Sequence, residues 1–362
     1  MTAHSALHRR IADEIAAAGG WLGFERYMEL ALYAPGLGYY ARGDRVFGDS
    51  PASGSDFVTA PELSPLFGRA LARQLRQALD ATGTREVWEF GAGSGALAAQ
   101  LTEALGDAIE RYTIVELSAA LRERQRATLA ARQPDRLARV AWAEALPARL
   151  DAVLVGNEVL DAMPVALLHF DGAGWFERGV ALDAGRVVFA DRPTALRPPL
   201  AETAVPGTTT ELGRHAEAFV RTLAATLGRG AAFFIDYGFP EAEFHHPQRR
   251  GGTLMCHRGH RADGDPLVDI GLKDITAHVD FTAIALAGQD AGFEVLGYTS
   301  QAHFLVNCGL LDDLHGADVA TVSRAQKLLT EHEMGELFKV IGFAKPSFDA
   351  IGFRRGDRSH TL

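Results

Sequence analysis

Val87-Trp88-Glu89-Phe90-Gly91-Ala92-Gly93-Ser94-Gly95 is the stretch that decides the fold. It reads as a short apolar strand with an acid near its end, three glycines at alternate positions, and then the start of a helix. Glycine at those positions lets a ligand approach the backbone where any Cβ would collide with it. The helix that follows points the unpaired N–H groups of its first turn into the same gap. Further on, a second strand, Thr113-Ile114-Val115, ends in Glu116, placed to accept hydrogen bonds from a ribose. Glu116 sits at the carboxyl end of that strand, where open α/β sheets bind their ligands. The two segments together make a nucleoside cradle, and Leu117-Ser118 continue its rim.

The glycines alone are ambiguous, because Gly91-x-Gly93-x-x-Ala96 also satisfies the dinucleotide fingerprint. Three features favour S-adenosylmethionine. Glu89 stands two residues before the first glycine, where a dinucleotide strand is apolar and an acid can face a methionine ammonium. The third glycine falls at Gly95, giving G-x-G-x-G. The fourth strand ends in Gly156-Asn157-Glu158, a polar switch where the sheet order reverses. Ala143-Glu144 ends the third strand at the place of the adenine amino group, although Glu144 also reads as the start of a solvated loop.

Around this nucleus, strands and helices alternate. Strands are expected over 86–90, 111–117, 139–143, 152–156 and 231–236, with helices over 96–105, 119–132 and 211–227. Continuous apolar strands alternating with amphipathic helices predict an α/β, Rossmann-like parallel sheet covered on both faces. Ser64-Pro65 opens a further helix as cap and first-turn proline. Residues 1–80 are read as an N-terminal helical cap and cofactor lid, with a Gly- and Pro-rich loop from Pro35 to Asp56. Residues 81–164 form the cofactor half of the core, and 165–206 an inserted β-meander on the substrate side. Residues 207–362 form the second half of the core, with a long active-site loop at about 240–280.

The chain has 362 residues, 47% of them hydrophobic and 23% charged, as in ordinary globular proteins. A formal net charge of −10 argues against a nucleic-acid partner and suits cationic ones. Two cysteines, Cys256 and Cys308, allow neither a disulfide framework nor a four-thiolate zinc site, which points to a reducing compartment. Cys256-His257-Arg258-Gly259-His260 has poor metal-ligand spacing and reads as a polar loop, so no metal is expected. No apolar run reaches membrane-spanning length, and the acids among the first twenty residues argue against a transit peptide. A cytoplasmic location is expected.

Asn157-Glu158-Val159-Leu160-Asp161-Ala162-Met163-Pro164 carries the best catalytic candidates. Two acids three apart, leaving a strand beside the cofactor, can clamp a guanidinium or ammonium through charge-assisted hydrogen bonds. Asp161 also reads as the cap of a following short helix. Asp236-Tyr237-Gly238 closes the fifth strand on the same rim, where Asp236 either contacts substrate or anchors the next turn.

Several segments together resemble the MidA-type family of class I S-adenosylmethionine-dependent methyltransferases. They are Gly20-Trp21-Leu22, Tyr33 to Tyr40, Asp56-Phe57-Val58-Thr59-Ala60-Pro61-Glu62, Glu89–Gly95, Val115–Ser118, Asn157–Pro164, Asp236–Gly238, Asp274–Phe281, Gln301–Leu305 and Met334–Glu336. The resemblance implies a seven-stranded core with an N-terminal cap, and methyl transfer to arginine of a protein, in mitochondrial relatives a respiratory complex I subunit. It places Asp56 to Glu62, Thr59 among them, on the cap side of the cofactor. Glu89, Gly91, Gly93 and Glu116 form the floor, and Asn157, Glu158 and Asp161 the substrate side. Ala92 departs from the proline more common in relatives, which leaves that turn less rigid. The lack of a transit segment points to a bacterial-type member and puts the mitochondrial substrate in doubt. Two rival readings stay open: a cofactor-binding assembly chaperone with little or no catalysis, and a small-molecule methyltransferase. A homodimer is allowed.

Overall fold

In the computed structural model, which describes residues 3–42 and 59–362, seven strands in chain order build the main sheet. They are β1 (Glu86–Phe90), β2 (Arg111–Val115), β3 (Val140–Ala143), β4 (Leu150–Asn157), β5 (Leu227–Phe239), β6 (Glu294–Ser300) and β7 (Phe338–Lys345). Their spatial order is β6-β7-β5-β4-β1-β2-β3. The run from β3 to β5 is parallel, and β7 is antiparallel to both β5 and β6. An eighth, two-residue strand, Val279–Asp280, pairs with the end of β5 and was not foreseen. Connections run outward from β1 towards β2 and from β4 towards β5, so the order reverses between β1 and β4. The carboxyl ends of two neighbouring parallel strands diverge there and leave a crevice.

Apolar stripes explain the layers. On one face, α4 (Pro65–Thr82) and α5 (Ala96–Leu105) bury Phe67, Leu71, Leu75, Leu97 and Leu101 against Val87, Val153 and Phe233. The Ser64 hydroxyl caps α4 by accepting from the Leu66 N–H at 3.3 Å. On the other face, α7 (Arg214–Thr226) and α8 (Phe281–Asp290) bury Val220, Leu223, Phe281 and Ile284 against Leu154 and Phe234. Helix α6 (Ala119–Arg132) follows β2 and is capped by Ser118.

A second, antiparallel sheet joins Leu22–Gly23, Ala166–Phe170, Trp175–Asp183, Arg186–Pro193 and Thr208–Leu212. Helices α1 (Ala3–Ala17) and α2 (Phe24–Tyr33) pack on it, so Leu7, Ile11, Phe24 and Tyr27 share a core with Leu167, Val180 and Val187. Gly179 permits the closure, since a Cβ there would lie 2.3 Å from the Leu22 carbonyl oxygen. Of the described part of residues 1–80, α1 and α2 share a core with the inserted sheet, while α4 belongs to the main sheet's core.

The 240–280 segment also differs from the expected loop. It holds a short helix, Glu241–Phe244, and a three-stranded sheet of Met255–Arg258, Arg261–Asp263 and Asp274–Thr276. Only Cys256 and Ile275 of that sheet enter the second lobe's core, too few apolar positions to leave a period in sequence. Helix α7 begins at Arg214 rather than Glu211, which lies within the strand Thr208–Leu212 instead. Among the described residues no helix is long and apolar enough to cross a membrane.

Candidate active site

A cleft of about 1280 Å³ opens at the carboxyl ends of β1, β2, β4 and β5, and residues of α2 and of the 255–278 segment also line it. Gly91 and Gly93 form its floor with φ of 66° and 50°, the left-handed region that glycine occupies at little cost. A Cβ on Gly91 would lie 2.7 Å from Val159 Cγ2, so the β1 and β4 exits can approach only because the residue is glycine. Ala92 lines the same floor. Gly95 does not: its φ of 84° places it against α6, where a Cβ would meet Gln125 Cα at 3.1 Å. Its glycine serves helix packing rather than the cleft.

Two carboxylates flank the floor. Glu89 is 1% exposed and accepts the Tyr112 hydroxyl at 2.7 Å; burial pushes its carboxyl up to about 8. Glu116 accepts from the Ser118 N–H at 2.8 Å and from Gln125 Nε2 at 3.2 Å, and burial raises it too. Leu117, 75% exposed, stands beside it with Ser118 on the cleft wall. Thr59 and Glu62 line the opposite wall, Glu62 accepting the Ser94 hydroxyl; Asp56, Phe57 and Val58 lie outside the described residues. Glu144 is exposed, pairs with Arg122 and is not on the cleft, so it is the solvated-loop acid.

The β4 exit supplies the third acidic group. Asn157, Glu158 and Asp161 all line the cleft. Glu158 takes a left-handed conformation, φ 54°, unusual for a residue with a Cβ, and its N–H is held by the Ile235 carbonyl at 2.9 Å. Asn157 Nδ2 donates to Glu158 Oε1 at 2.9 Å, while burial and the neighbouring Asp161 raise the Glu158 carboxyl to about 8. Asp161 is 5% exposed and starts no helix; burial raises its carboxyl to about 6, with the neighbouring Tyr237 acting the other way.

Asp236 does not reach the cleft. It is fully buried, and its Oδ2 accepts from the N–H groups of Val159, Leu160 and Asp161 at 3.1, 2.8 and 3.3 Å. Its Oδ1 accepts from the Tyr237 N–H at 3.0 Å. With both oxygens engaged by backbone, it anchors the turn that carries Glu158 and Asp161.

The second lobe adds groups that carried no role in the sequence reading. Tyr33 donates to the Ala162 carbonyl and Tyr40 to Asp274 Oδ1, each at 2.8 Å, with the two rings stacked 5.6 Å apart. Tyr237, Thr276 and His278 complete that wall. Their segments carried the resemblance, but residue type alone does not separate a wall from a core. Asn157 Oδ1, Asp161 Oδ1, Thr276 Oγ1 and His278 Nδ1 are buried and have no hydrogen-bond partner. Unpaired buried polar atoms are costly, so a ligand rich in N–H and O–H donors fits this cleft. A cofactor with an ammonium, ribose hydroxyls and a cationic centre matches the donor-poor, acidic floor. Among the described residues no group of His, Cys, Asp or Glu is placed to hold a metal.

Comparison with known proteins agrees with this geometry. Residues 70–299 match the model of the family described as "Putative S-adenosyl-L-methionine-dependent methyltransferase". A Burkholderia thailandensis structure with S-adenosyl-homocysteine bound is 55% identical, covers 99% of this chain and 97% of that one, and superposes with a TM-score of 0.96. The "Protein arginine methyltransferase NDUFAF7, mitochondrial" of Danio rerio is 28% identical over 338 residues, 83% of this chain and 76% of that protein. The Homo sapiens protein of the same name is 27% identical over 322 residues, 78% of this chain and 69% of that protein.

Proposed function

The chain belongs to the family of S-adenosyl-L-methionine-dependent methyltransferases whose model matches residues 70–299, and we propose that its methyl acceptor is an arginine side chain of a protein. The observation that carries this reading is the acid pair at the β4 exit: Glu158 on the cleft, and Asp161 with a buried, unpaired Oδ1. Two carboxylates presented from one rigid turn suit a planar guanidinium, which offers five N–H donors in a fixed fork. Support also comes from the Danio rerio and Homo sapiens relatives, whose names specify arginine.

Gly91, Gly93, Glu89 and Glu116 would hold the cofactor, with Asn157 at its substrate side. When bound there, S-adenosyl-L-methionine supplies an electrophilic methyl group. Glu158 and Asp161 hold the acceptor guanidinium and orient one nitrogen along the transfer line; such positioning is most of what a protein contributes to an in-line displacement. Methylation of that nitrogen releases one N–H proton. Glu158, whose proton affinity burial raises, is the group placed to take it. Asp236 keeps both acids in place by fixing three successive backbone N–H groups. The protein substrate is a respiratory-complex subunit in this proposal, on the strength of the family resemblance.

Incubating the protein with methyl-labelled cofactor and a cell lysate tests the reading. Label in protein, recovered as methylarginine after acid hydrolysis, is the expected result. Label confined to small metabolites, or to another amino acid, overturns the arginine assignment.

A further inference from the structure

Among the cleft's unpartnered polar atoms is one imidazole nitrogen. His278 lines the cleft together with Asn157, Glu158 and Asp161, on the segment that follows the strand Asp274–Thr276. Its Nδ1 is buried with no hydrogen-bond partner, although the chain fixes the residue closely. Its ring is held edge-on to Tyr237, centroids 5.1 Å apart, and lies 5.2 Å from the Phe239 ring. Its backbone N–H donates to Thr253 Oγ1 at 3.0 Å.

Thr253 is itself pinned. The buried carboxylate of Glu211, within the strand Thr208–Leu212, accepts from the Thr253 and Leu254 N–H groups at 2.8 and 3.0 Å. Gly252 makes that approach possible, since a Cβ there would meet Glu211 Oε1 at 2.3 Å. The neighbouring Ala277 N–H donates to the Asp161 carbonyl at 3.0 Å, tying this segment to the acid-bearing turn. A side chain fixed this firmly, with an unsatisfied atom in a polar cleft, is built to meet something.

We propose that His278 is a specificity-determining residue that contacts the acceptor: its unpaired Nδ1 accepts one guanidinium N–H in the cleft it shares with Glu158 and Asp161. The proposal rests on the arginine reading above and adds the second side of the recognition. Burial, with Arg249 and Lys339 nearby, lowers the imidazole to about 4, so it stays neutral and can accept from a cation without repelling it. Arg249 lies over the same Phe239 ring at 4.2 Å and Lys339 at 5.9 Å. A fork with donors on several edges can reach the carboxylates and the imidazole at once. A compact ammonium held by the carboxylates has no such reach.

The test is calorimetric binding of acetyl-arginine amide and acetyl-lysine amide to the full-length protein saturated with S-adenosyl-homocysteine. His278→Phe keeps an aromatic ring and removes the acceptor, while His278→Asn returns an acceptor near the Nδ1 position. Arginine-probe binding should weaken at least about tenfold in His278→Phe, the cost of a hydrogen bond to a charged group, and recover to within about threefold in His278→Asn. Binding of S-adenosyl-homocysteine and the lysine probe should stay unchanged in both. A His278→Phe protein that keeps its cofactor affinity and binds the arginine probe like wild type overturns this assignment alone. A wild-type protein that does not prefer the arginine probe overturns the arginine reading and the assignment with it.

Discussion

Tyr112 on β2 donates its hydroxyl proton to Oε2 of Glu89 on β1 at 2.7 Å, one strand over and wholly inside the sheet. This bond favours the ionised form of Glu89, against a burial cost that pushes its carboxyl up to about 8. Removing it in Tyr112→Phe should raise Glu89 further, so that still less of it is ionised at neutral pH. Affinity for S-adenosyl-homocysteine, whose ammonium calls for an ionised acid, should then fall about five- to tenfold at pH 7. It should recover towards wild type at pH 9. Calorimetry across that range checks the prediction, and a pH-independent defect would point to lost packing instead.

Free-protein stability should decline as pH rises. Glu89 and Glu158 ionise near 4.5 in an unfolded chain but are raised to about 8 in the folded one. Between those values the folded state holds protons that the unfolded state has released, so each rise in pH favours unfolding. Their contribution is fully present below about pH 4.5 and lost once pH passes about 8. The melting temperature should fall across this window, and Glu158→Gln should flatten the fall. A melting temperature that rises from pH 5 to 8 in both proteins would contradict it.

Glu158→Gln should lower kcat by on the order of a hundredfold, the loss of about 3 kcal/mol of charge-assisted contact to the acceptor. Cofactor affinity should stay within about threefold of wild type, because Glu89 and Glu116 remain. Steady-state methyl transfer and calorimetry on the same preparation separate the two effects.

Asp236→Ala should destabilise the protein by about 3 kcal/mol or more, since three buried N–H groups lose their acceptor. Asp236→Asn, which keeps one acceptor oxygen, should cost less. Thermal unfolding measures both. An Asp236→Ala protein with unchanged stability and no methyl transfer would restore the catalytic role considered for this residue.

Much of this arrangement could be read in the sequence because the main sheet is local in its logic. Each strand from β1 to β5 is a mainly apolar run with a polar residue close to its carboxyl end, where the chain leaves the sheet. Glu89, Glu116 and Glu158 stand out for that reason. What escaped notice depends on distant partners. Leu22 pairs with Val180, so the short strand between the first two helices joins a sheet made much later in the chain. Asp236 has an acid's chemistry, but its three N–H partners lie some seventy-five residues earlier in the chain, and only geometry shows they occupy it. The strands between 255 and 276 are too short and too polar to impose a period.

The shared core of the first two helices and the inserted sheet constrains the order of assembly. Phe24 and Tyr27 emerge early in synthesis, yet the strands they cover end only at Leu212. During translation these apolar faces must stay exposed, or be shielded by something else, while more than half of the chain is made. Of the two lobes, this one is the more vulnerable to premature association, and a truncation before residue 212 would release a nascent chain with its stickiest surface bare.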